Sequence, residues 1–341
     1  MAKKKKRAQK KKTKTSAPAV EVSGETQGPI IGVIAPASPV PEIELMMGAT
    51  RLAREGFEIA LHPQVKNKHA FYAGTDLERA LAFLDYAFDP EIEILWAARG
   101  GYGTVRILPI LDEIIAKVGI PEPKTLIGFS DNTILLEYVR VKWNWRAIHG
   151  PMPGTGHFEG VKGKDFKRLV QLARGIEESA SWKLKPIYLP SGFQKLEGEV
   201  VGGNLAMIQS VHGTPYAFQP KGKILFLEEI TEAPYRMDRI LQQLDLGGFF
   251  EGVTAIVLGT LTSCEDSVMQ VRADYPPSKK TKPLRKLMSE SQVLKEVFGQ
   301  LGEELGIPVF TGLPVGHGSK GTGALTLGRK VSLTREGLFS V

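Results

Sequence analysis

The segment Thr125-Leu-Ile-Gly-Phe-Ser-Asp-Asn132 decides how the chain is read. Leu126 and Ile127 are apolar, β-prone residues, Gly128 permits a sharp turn, and Ser130 stands at the apex. Ile134, Leu135, Leu136 and Val139 then begin a helical face. A strand that turns into a helix at a serine lifts that serine out of the sheet. There, free N–H groups of the helix N-terminus point at incoming negative charge. A nucleophilic serine needs this geometry, although Gly-Phe-Ser-Asp-Asn is not the G-x-S-x-G pattern of the common esterases.

Working outward from this corner, strands and helices alternate. Pro29-Ile-Ile-Gly-Val-Ile-Ala35 reads as a buried strand ending in the rigid loop Pro36–Pro39, with a helix near Glu42–Glu55. Phe57–Leu61 is the next strand, and Thr75 or Asp76 caps a helix running to about Phe88. Glu93–Ala97 is a strand that breaks at Arg99-Gly-Gly-Tyr-Gly103, followed by a helix near Val105–Val118. This alternation predicts an α/β fold with a parallel, doubly wound sheet and sites at the strand C-ends. The second half reads differently. A helical, connecting stretch over 165–179 leads to short β-like segments at 198–201, 223–227, 254–258, 309–311, 324–327 and 330–333. Helices are expected near 235–243 and 291–305. A mixed α/β domain with a partly antiparallel or barrel-like sheet fits this pattern. The expected organisation is a disordered basic tail (1–27), a nucleophile domain (28–155), a connecting segment (156–195) and a C-terminal domain (196–341). The polar stretch 265–290 reads as a solvated insertion.

The net charge of +7 belongs to the tail. Residues 1–15 hold nine of the 44 basic residues and none of the 37 acidic ones, leaving 35 basic against 37 acidic beyond them. Such a tail self-repels and has little to bury, so disorder is expected, with weak polyanion contact as its sharper reading. No apolar run reaches the ~18 residues of a membrane span, and no signal-peptide pattern follows the basic start. The single cysteine, Cys264, allows no internal disulfide and reads as a core or strand-end residue. No HExxH, C-x-x-C or clustered His/Asp/Glu pattern suggests a metal site.

A serine nucleophile needs an adjacent base. Among six histidines, His317 has the most suitable setting, the glycine-rich loop Gly312-Leu-Pro-Val-Gly-His-Gly-Ser-Lys-Gly-Thr-Gly323 between two apolar strands. His149, just after the serine helix, reads as core or pocket packing. Glu228 emerges from the buried strand Ile224–Leu227 and is the candidate acid, with Glu229 facing the other way by strand alternation. Glu232 instead opens the next helix, i,i+4 from Arg236. Oxyanion donors are expected from the backbone N–H groups of Asp131 and Gly101.

These motifs carry a resemblance. Ile31-Gly-Val-Ile-Ala-Pro-Ala-Ser38, Ala98-Arg-Gly-Gly-Tyr-Gly103, Ile127-Gly-Phe-Ser-Asp131 and Val201-Gly-Gly-Asn-Leu205 occur in that order. Phe226-Leu-Glu-Glu229 with Pro234-Tyr-Arg-Met-Asp-Arg239, and Gly312-Leu-Pro-Val-Gly-His-Gly318, follow. Together they resemble the LD-carboxypeptidases, serine peptidase family S66. The resemblance implies a Rossmann- or flavodoxin-like N-terminal domain and a swivelling β/β/α-like C-terminal domain, with the active site between them. It implies Ser130 as nucleophile, His317 as base then acid, and Glu228 as its orienting partner. It also implies metal-independent removal of the terminal D-alanine from muropeptide tetrapeptides in the cytoplasm, by a homodimer and without a cofactor. Arg99, Tyr102, Asn204 and Arg236 are candidate substrate contacts. The family usually has Glu-Asp where this chain has Glu228-Glu229. A related branch with the same triad cleaves peptidyl-nucleotide antibiotics of the microcin C type, and an aromatic side chain stacking on the base would be the mark of that substrate, with Trp96, Trp143, Trp145 and Trp182 the available tryptophans. A non-catalytic binding protein tethered to nucleic acid by its tail is the distant alternative.

Overall fold

The computed structural model describes residues 28–177, 179–265 and 288–341. The basic tail and nearly all of the 265–290 stretch lie outside the described residues. Five strands of the first half are β1 (Ile30–Ile34), β2 (Glu58–Leu61), β3 (Ile92–Ala97), β4 (Thr125–Gly128) and β5 (Arg146–His149). Between them run α1 (Glu42–Arg54), α2 (Asp76–Phe88), α3 (Leu108–Val118) and α4 (Thr133–Lys142), and α5 (Gly156–Gly160) and α6 (Gly163–Ala173) follow. Helix α2 begins at Thr75, whose hydroxyl accepts from the Glu78 N–H while the Glu78 carboxylate accepts from the Thr75 N–H, a reciprocal cap.

The second half contributes β6 (Ser181–Lys183), β7 (Lys185–Tyr188), β8 (Lys195–Asn204), α7 (Leu205–Val211), β9 (Ile224–Ile230), α8 (Pro234–Leu246) and β10 (Ala255–Thr262). A continuous helical stretch follows, built of α9 (Glu290–Val293), a π-helical segment Leu294–Gly299 and α10 (Gln300–Leu305). The chain ends in β11 (Val309–Thr311), β12 (Leu325–Leu327), β13 (Lys330–Thr334) and β14 (Leu338–Ser340).

The first sheet has the order β12-β5-β4-β3-β1-β2. Its five first-half strands are parallel, and β12 returns from the far end of the chain to pair antiparallel with β5. Strand alternation sends Ile31, Val33, Ile94 and Trp96 into a core with Leu45, Leu52, Phe158 and Leu169. Ile34, Leu95 and Leu126 face Phe83, Leu108, Leu135 and Val139 on the opposite side. The sheet is therefore sandwiched, with α1, α5 and α6 on one face and α2, α3 and α4 on the other. Chain order reverses beside β1, so the crevice between the ends of β1 and β3 is where such a sheet takes ligands.

The second sheet has the order β6-β14-β13-β8-β9-β10-β11-β7. Its outer strands β6 and β7 are separated in sequence by Leu184 alone, so the sheet must curl until its two edges nearly meet. The curl makes two cores. Phe226, Val257, Phe310, Leu333 and Phe339 pack inside it, while Leu225, Leu227, Ile256 and Leu258 pack against α7, α8 and the 290–305 helical stretch. Cys264 is buried beside the latter core, and burial pushes its thiol up to about 12.

The two sheets are joined at α4. Glu137 accepts the Gly202 N–H at 2.9 Å, and Thr133 Oγ1 accepts the Asn204 N–H at 3.1 Å. A Cβ on Gly203 would stand 2.7 Å from the Thr133 side chain, so glycine is what lets β8 approach the serine helix.

Candidate active site

β4 ends at Gly128, and the chain turns through Ser130 at φ +62° into a short 3₁₀ segment, Ser130–Asn132, that leads into α4. A non-glycine residue in the left-handed region is held there by its surroundings. The surroundings are the two residues that follow. Asp131 is buried and accepts from the Thr104 N–H at 2.8 Å and the Thr104 hydroxyl at 2.6 Å. Asn132 is buried and donates its amide to the Arg99 carbonyl at 3.2 Å and the Phe129 carbonyl at 3.3 Å. The turn carrying Ser130 is thus stapled to the loop beyond β3. That loop comes close: a Cβ on Gly100 would lie 2.9 Å from Ser130 Cβ and 3.1 Å from its Oγ.

His317 arrives from the loop between β11 and β12. Its Nδ1 lies 2.6 Å from Glu228 Oε2. The His317 carbonyl accepts from the Thr260 and Thr262 hydroxyls of β10, both at 2.8 Å, which fixes the backbone beneath the ring. Gly316 has φ +127°, and a Cβ there would meet Thr260 Oγ1 at 2.6 Å and Glu228 Oε2 at 2.9 Å. Glu228 is fully buried near the end of β9, on the inner face with Ile224 and Phe226. Burial alone would raise its carboxyl, but His317 beside it, by charge and hydrogen bond, holds it below the ordinary value. Burial alone would lower the imidazole, and Glu228 overrides that, lifting His317 above its ordinary value. The ring of Phe129 lies 4.7 Å from that of His317 and forms a wall between β4 and the histidine.

Ser130 and His317 line one cavity of about 560 Å³, with Arg99, Gly100, Gly101, Thr155 and His157 also on its wall. No hydrogen bond links the two catalytic candidates in this structure; such bonds commonly tighten only when substrate is bound. Gly101, in the same loop, has φ +114°.

Other candidates fall elsewhere. Tyr102 is half exposed and its N–H donates to Ser38 Oγ at 3.0 Å. Asn204 caps α7 through the Met207 N–H and donates to Glu229 at 2.9 Å. Arg236 lies on α8, beside a second cleft, with Nη1 3.6 Å from Glu232. Glu229 faces α7, accepting from Asn204, the Ala206 N–H and the Ile230 N–H, and burial pushes its carboxyl up to about 7. His149 is buried between Phe129 and Phe226, with ring centroids 5.6 and 5.0 Å away, and burial lowers it to about 4. His157 was not singled out by its sequence setting. Its Nε2 lies 3.2 Å from the Gly321 carbonyl, a contact across 164 residues that leaves no local signal. Among the described residues no group of His, Cys, Asp and Glu is arranged to hold a metal ion.

The chain is similar to proteins that are already known. Residues 31–150 match the LD-carboxypeptidase N-terminal domain and residues 197–333 the LD-carboxypeptidase C-terminal domain. The probable murein peptide carboxypeptidase of Bacillus subtilis is 33% identical over 90% of this chain and 89% of its own length. The crystal structure of muramoyltetrapeptide carboxypeptidase from Oxalobacter formigenes superposes with a TM-score of 0.72 at 30% identity, covering 91% of this chain and 97% of that one. The microcin C7 self-immunity protein of Escherichia coli is 29% identical over 66% of this chain and 72% of its own.

Proposed function

The chain belongs to the LD-carboxypeptidase family, peptidase family S66, and from that premise we propose that it is a serine-type carboxypeptidase that removes the terminal D-alanine from muropeptide tetrapeptides. The observation that carries this reading is the pairing of His317 with buried Glu228 at 2.6 Å, on the wall of the cavity that also holds Ser130.

The chemistry follows from the geometry. Ser130 Oγ attacks the carbonyl carbon of the bond between the third residue and D-alanine, and its proton passes to His317 Nε2. Glu228 at Nδ1 fixes the tautomer and stabilises the imidazolium. The backbone N–H groups of Asp131 and Gly101 take the developing oxyanion. Collapse of the tetrahedral intermediate breaks the C–N bond, and His317 returns the proton to the departing amine. A water then attacks the acyl-enzyme by the same route and frees Ser130. Arg99, the one permanent cation among the described residues lining the cavity, suits the free carboxylate of D-alanine.

Cytoplasmic location and a homodimeric state belong to the same proposal through the family. Among the described residues no helix is long and apolar enough to cross a membrane. The peptidyl-nucleotide reading has less behind it. Trp96, Trp143 and Trp145 are buried in the first domain's cores, Trp182 packs on Phe339, and none of the four lines the cavity.

The deciding experiment is mass spectrometry of a muropeptide tetrapeptide incubated with the protein and with Ser130→Ala. Loss of one D-alanine with the first and not the second is expected. An intact tetrapeptide from well-folded protein would overturn the reading.

A further inference from the structure

The loops that leave β1 and β3 are knitted to each other. The two strands are parallel neighbours, with Ile34 level with Ala97. The chain after β1 runs through Pro36-Ala-Ser-Pro39, and the chain after β3 through Arg99-Gly-Gly-Tyr-Gly103. Ser38 joins the loops on both sides of Gly101. Its N–H donates to the Gly100 carbonyl at 3.3 Å, and its Oγ accepts the Tyr102 N–H at 3.0 Å. The approach is close, since a Cβ on Gly101 would lie 2.6 Å from Ser38 Cβ. One residue further on, the Pro39 carbonyl accepts from Arg99 Nη1 at 3.1 Å.

Arg79 of α2 ties the same two loops at a second level. It is 1% exposed. Its Nη1 donates to the Pro36 carbonyl and, at 2.8 Å, to the Gly103 carbonyl, the start of one loop and the end of the other. Its Nη2 pairs with Asp76, which also accepts from Arg106 Nε. The charge of buried Asp131, the residue after Ser130, adds to that of Asp76 in keeping the guanidinium protonated against its burial. Enclosing a cation is costly unless it is paired and hydrogen-bonded. An aliphatic side chain would fill the same space without that cost, so the two carbonyls are what the guanidinium is there to hold.

We propose that Ser38 and Arg79 are positioning residues for the oxyanion hole. Arg79 anchors the start of the first loop and the end of the second, and Ser38 fixes the peptide groups on either side of Gly101. The proposal rests on the carboxypeptidase reading above, in which the Gly101 N–H takes the developing oxyanion. Gly101, at φ +114°, has no side chain to restrict its own backbone, so the restriction comes from its neighbours. A donor held in place beforehand need not reorient as charge develops, and that is the source of its effect on rate. The triad is untouched by this brace, which acts on the other side of the reacting carbonyl.

The test uses the full-length protein, the tetrapeptide substrate and a tripeptide in which a boronic acid replaces the C-terminal carboxyl. Addition of Ser130 Oγ to boron gives a tetrahedral adduct with an oxygen where the oxyanion would form. The ordinary tripeptide product fills the same subsites without that adduct. Ser38→Ala removes the acceptor of the Tyr102 N–H and little else. We expect it to lower kcat about tenfold or more with KM changed by less than about twofold. The boronate should weaken by the factor that kcat/KM loses, while the tripeptide binds as before. Arg79→Lys keeps the charge but gives up the planar fork, and should move the same quantities in the same direction. A boronate affinity that is unchanged in Ser38→Ala, or that falls only as far as that of the tripeptide, would overturn the brace and leave the carboxypeptidase reading standing. So would a wild type that cleaves the tetrapeptide but binds the boronate no better than the tripeptide. A wild type that leaves the tetrapeptide intact would overturn the reading itself.

Discussion

Glu228 and His317 are 89 residues apart, yet the buried carboxylate and the imidazole Nδ1 meet at 2.6 Å. The contact exists because β9 and β10 run parallel and the loop after β11 drapes over the end of β10, where Thr260 and Thr262 grip its backbone. Ser130 comes to the same cavity from the other sheet. The proposed catalytic machinery is therefore split across the two halves of the chain, and the packing of α4 on β8 holds the halves in register.

If Ser130 and His317 act as one unit, their losses do not add. Ser130→Ala and His317→Ala should each lower kcat by roughly 10³ or more, and the double variant should be little worse than either alone. Single-turnover release of D-alanine measures this. A double variant far below both singles would show that the two residues contribute separately.

Gly100 tests the close approach around the serine. In Gly100→Ala the new methyl would sit 2.9 Å from Ser130 Cβ and 3.1 Å from its Oγ. The elbow must shift, and a displacement on the order of 1 Å commonly costs about 10²-fold in rate. We expect kcat to fall by about that factor while the thermal midpoint stays within a few degrees of wild type. Full activity in Gly100→Ala would mean that the loop is free to move away from Ser130.

Much of this was legible in the residues, for physical reasons that can be named. Leu126-Ile-Gly128 followed by the Ile134–Val139 face announces a strand, a turn and a helix, because the periodicity changes from two to 3.6 across a glycine. Glu228 was legible as the polar end of an apolar strand. The side-chain contacts of Asp131 and Asn132 were not read, although two short polar residues at the head of an apolar helix are a signal of buried partners. Those partners, Thr104 and Arg99, lie about 30 residues away. The near-closure of the second sheet was legible only in outline, because pairing at its edges joins β14 to β6 across more than 150 residues and no local pattern encodes that register. Arg236 was read as a candidate substrate contact, and it lies on α8 beside a second cleft. The turn at Thr231 carries α8 to a different cleft.

The charge state of the pair sets the pH response. Glu228 holds His317 above the ordinary imidazole value of 6.5, and His317 holds Glu228 below the ordinary carboxylate value of 4.5. A raised imidazole stabilises the fold fully below 6.5 and loses that contribution as pH rises through its own value. A depressed carboxylate contributes above 4.5 and loses it as pH falls through its own value. The ion pair is thus strongest between these limits, while catalysis needs the neutral imidazole that appears above them. The acid limb of kcat/KM should accordingly have its midpoint above ~6.5. In Glu228→Gln that midpoint should move down and the plateau should fall by about 10⁴-fold, the scale seen when the orienting acid of such a triad is made neutral. An acid limb unmoved by the substitution would show that another group governs it.

Glu229 tests a neighbouring but separate function. Its two oxygens accept from Asn204, Ile230 and the Ala206 N–H, so it anchors the start of α7 to the end of β9. In Glu229→Gln one acceptor oxygen becomes an NH₂ facing N–H donors. The expected loss is about 1–3 kcal/mol of unfolding free energy, read from urea denaturation. The catalytic pH midpoint should move far less than in Glu228→Gln. A shift of equal size in both variants would mean that the two carboxylates act as one group.

The contact between the halves should be worth more than its size suggests. Glu137 is fully enclosed on α4, with one oxygen on the Gly202 N–H at 2.9 Å and the other on Arg140 Nε at 2.8 Å. Arg140 is itself largely covered. Glu137→Ala removes the acceptor from both, leaving a guanidinium without its carboxylate and an N–H without a partner inside the joint. Breaking one side of a buried pair typically costs about 3–5 kcal/mol, because the remaining charge has lost its water and gained nothing. Glu137→Gln keeps an acceptor for Gly202 and should cost less, about 1–3 kcal/mol. Urea denaturation orders the two variants. The kinetic consequence separates a joint from a mere surface contact, since α4 follows directly from the turn that carries Ser130. If the joint sets the distance between Ser130 and His317, Glu137→Gln should lower kcat with little change in KM, under conditions where the protein remains folded. Loss of stability with kcat intact would show that the joint holds the halves together without setting the spacing of the triad.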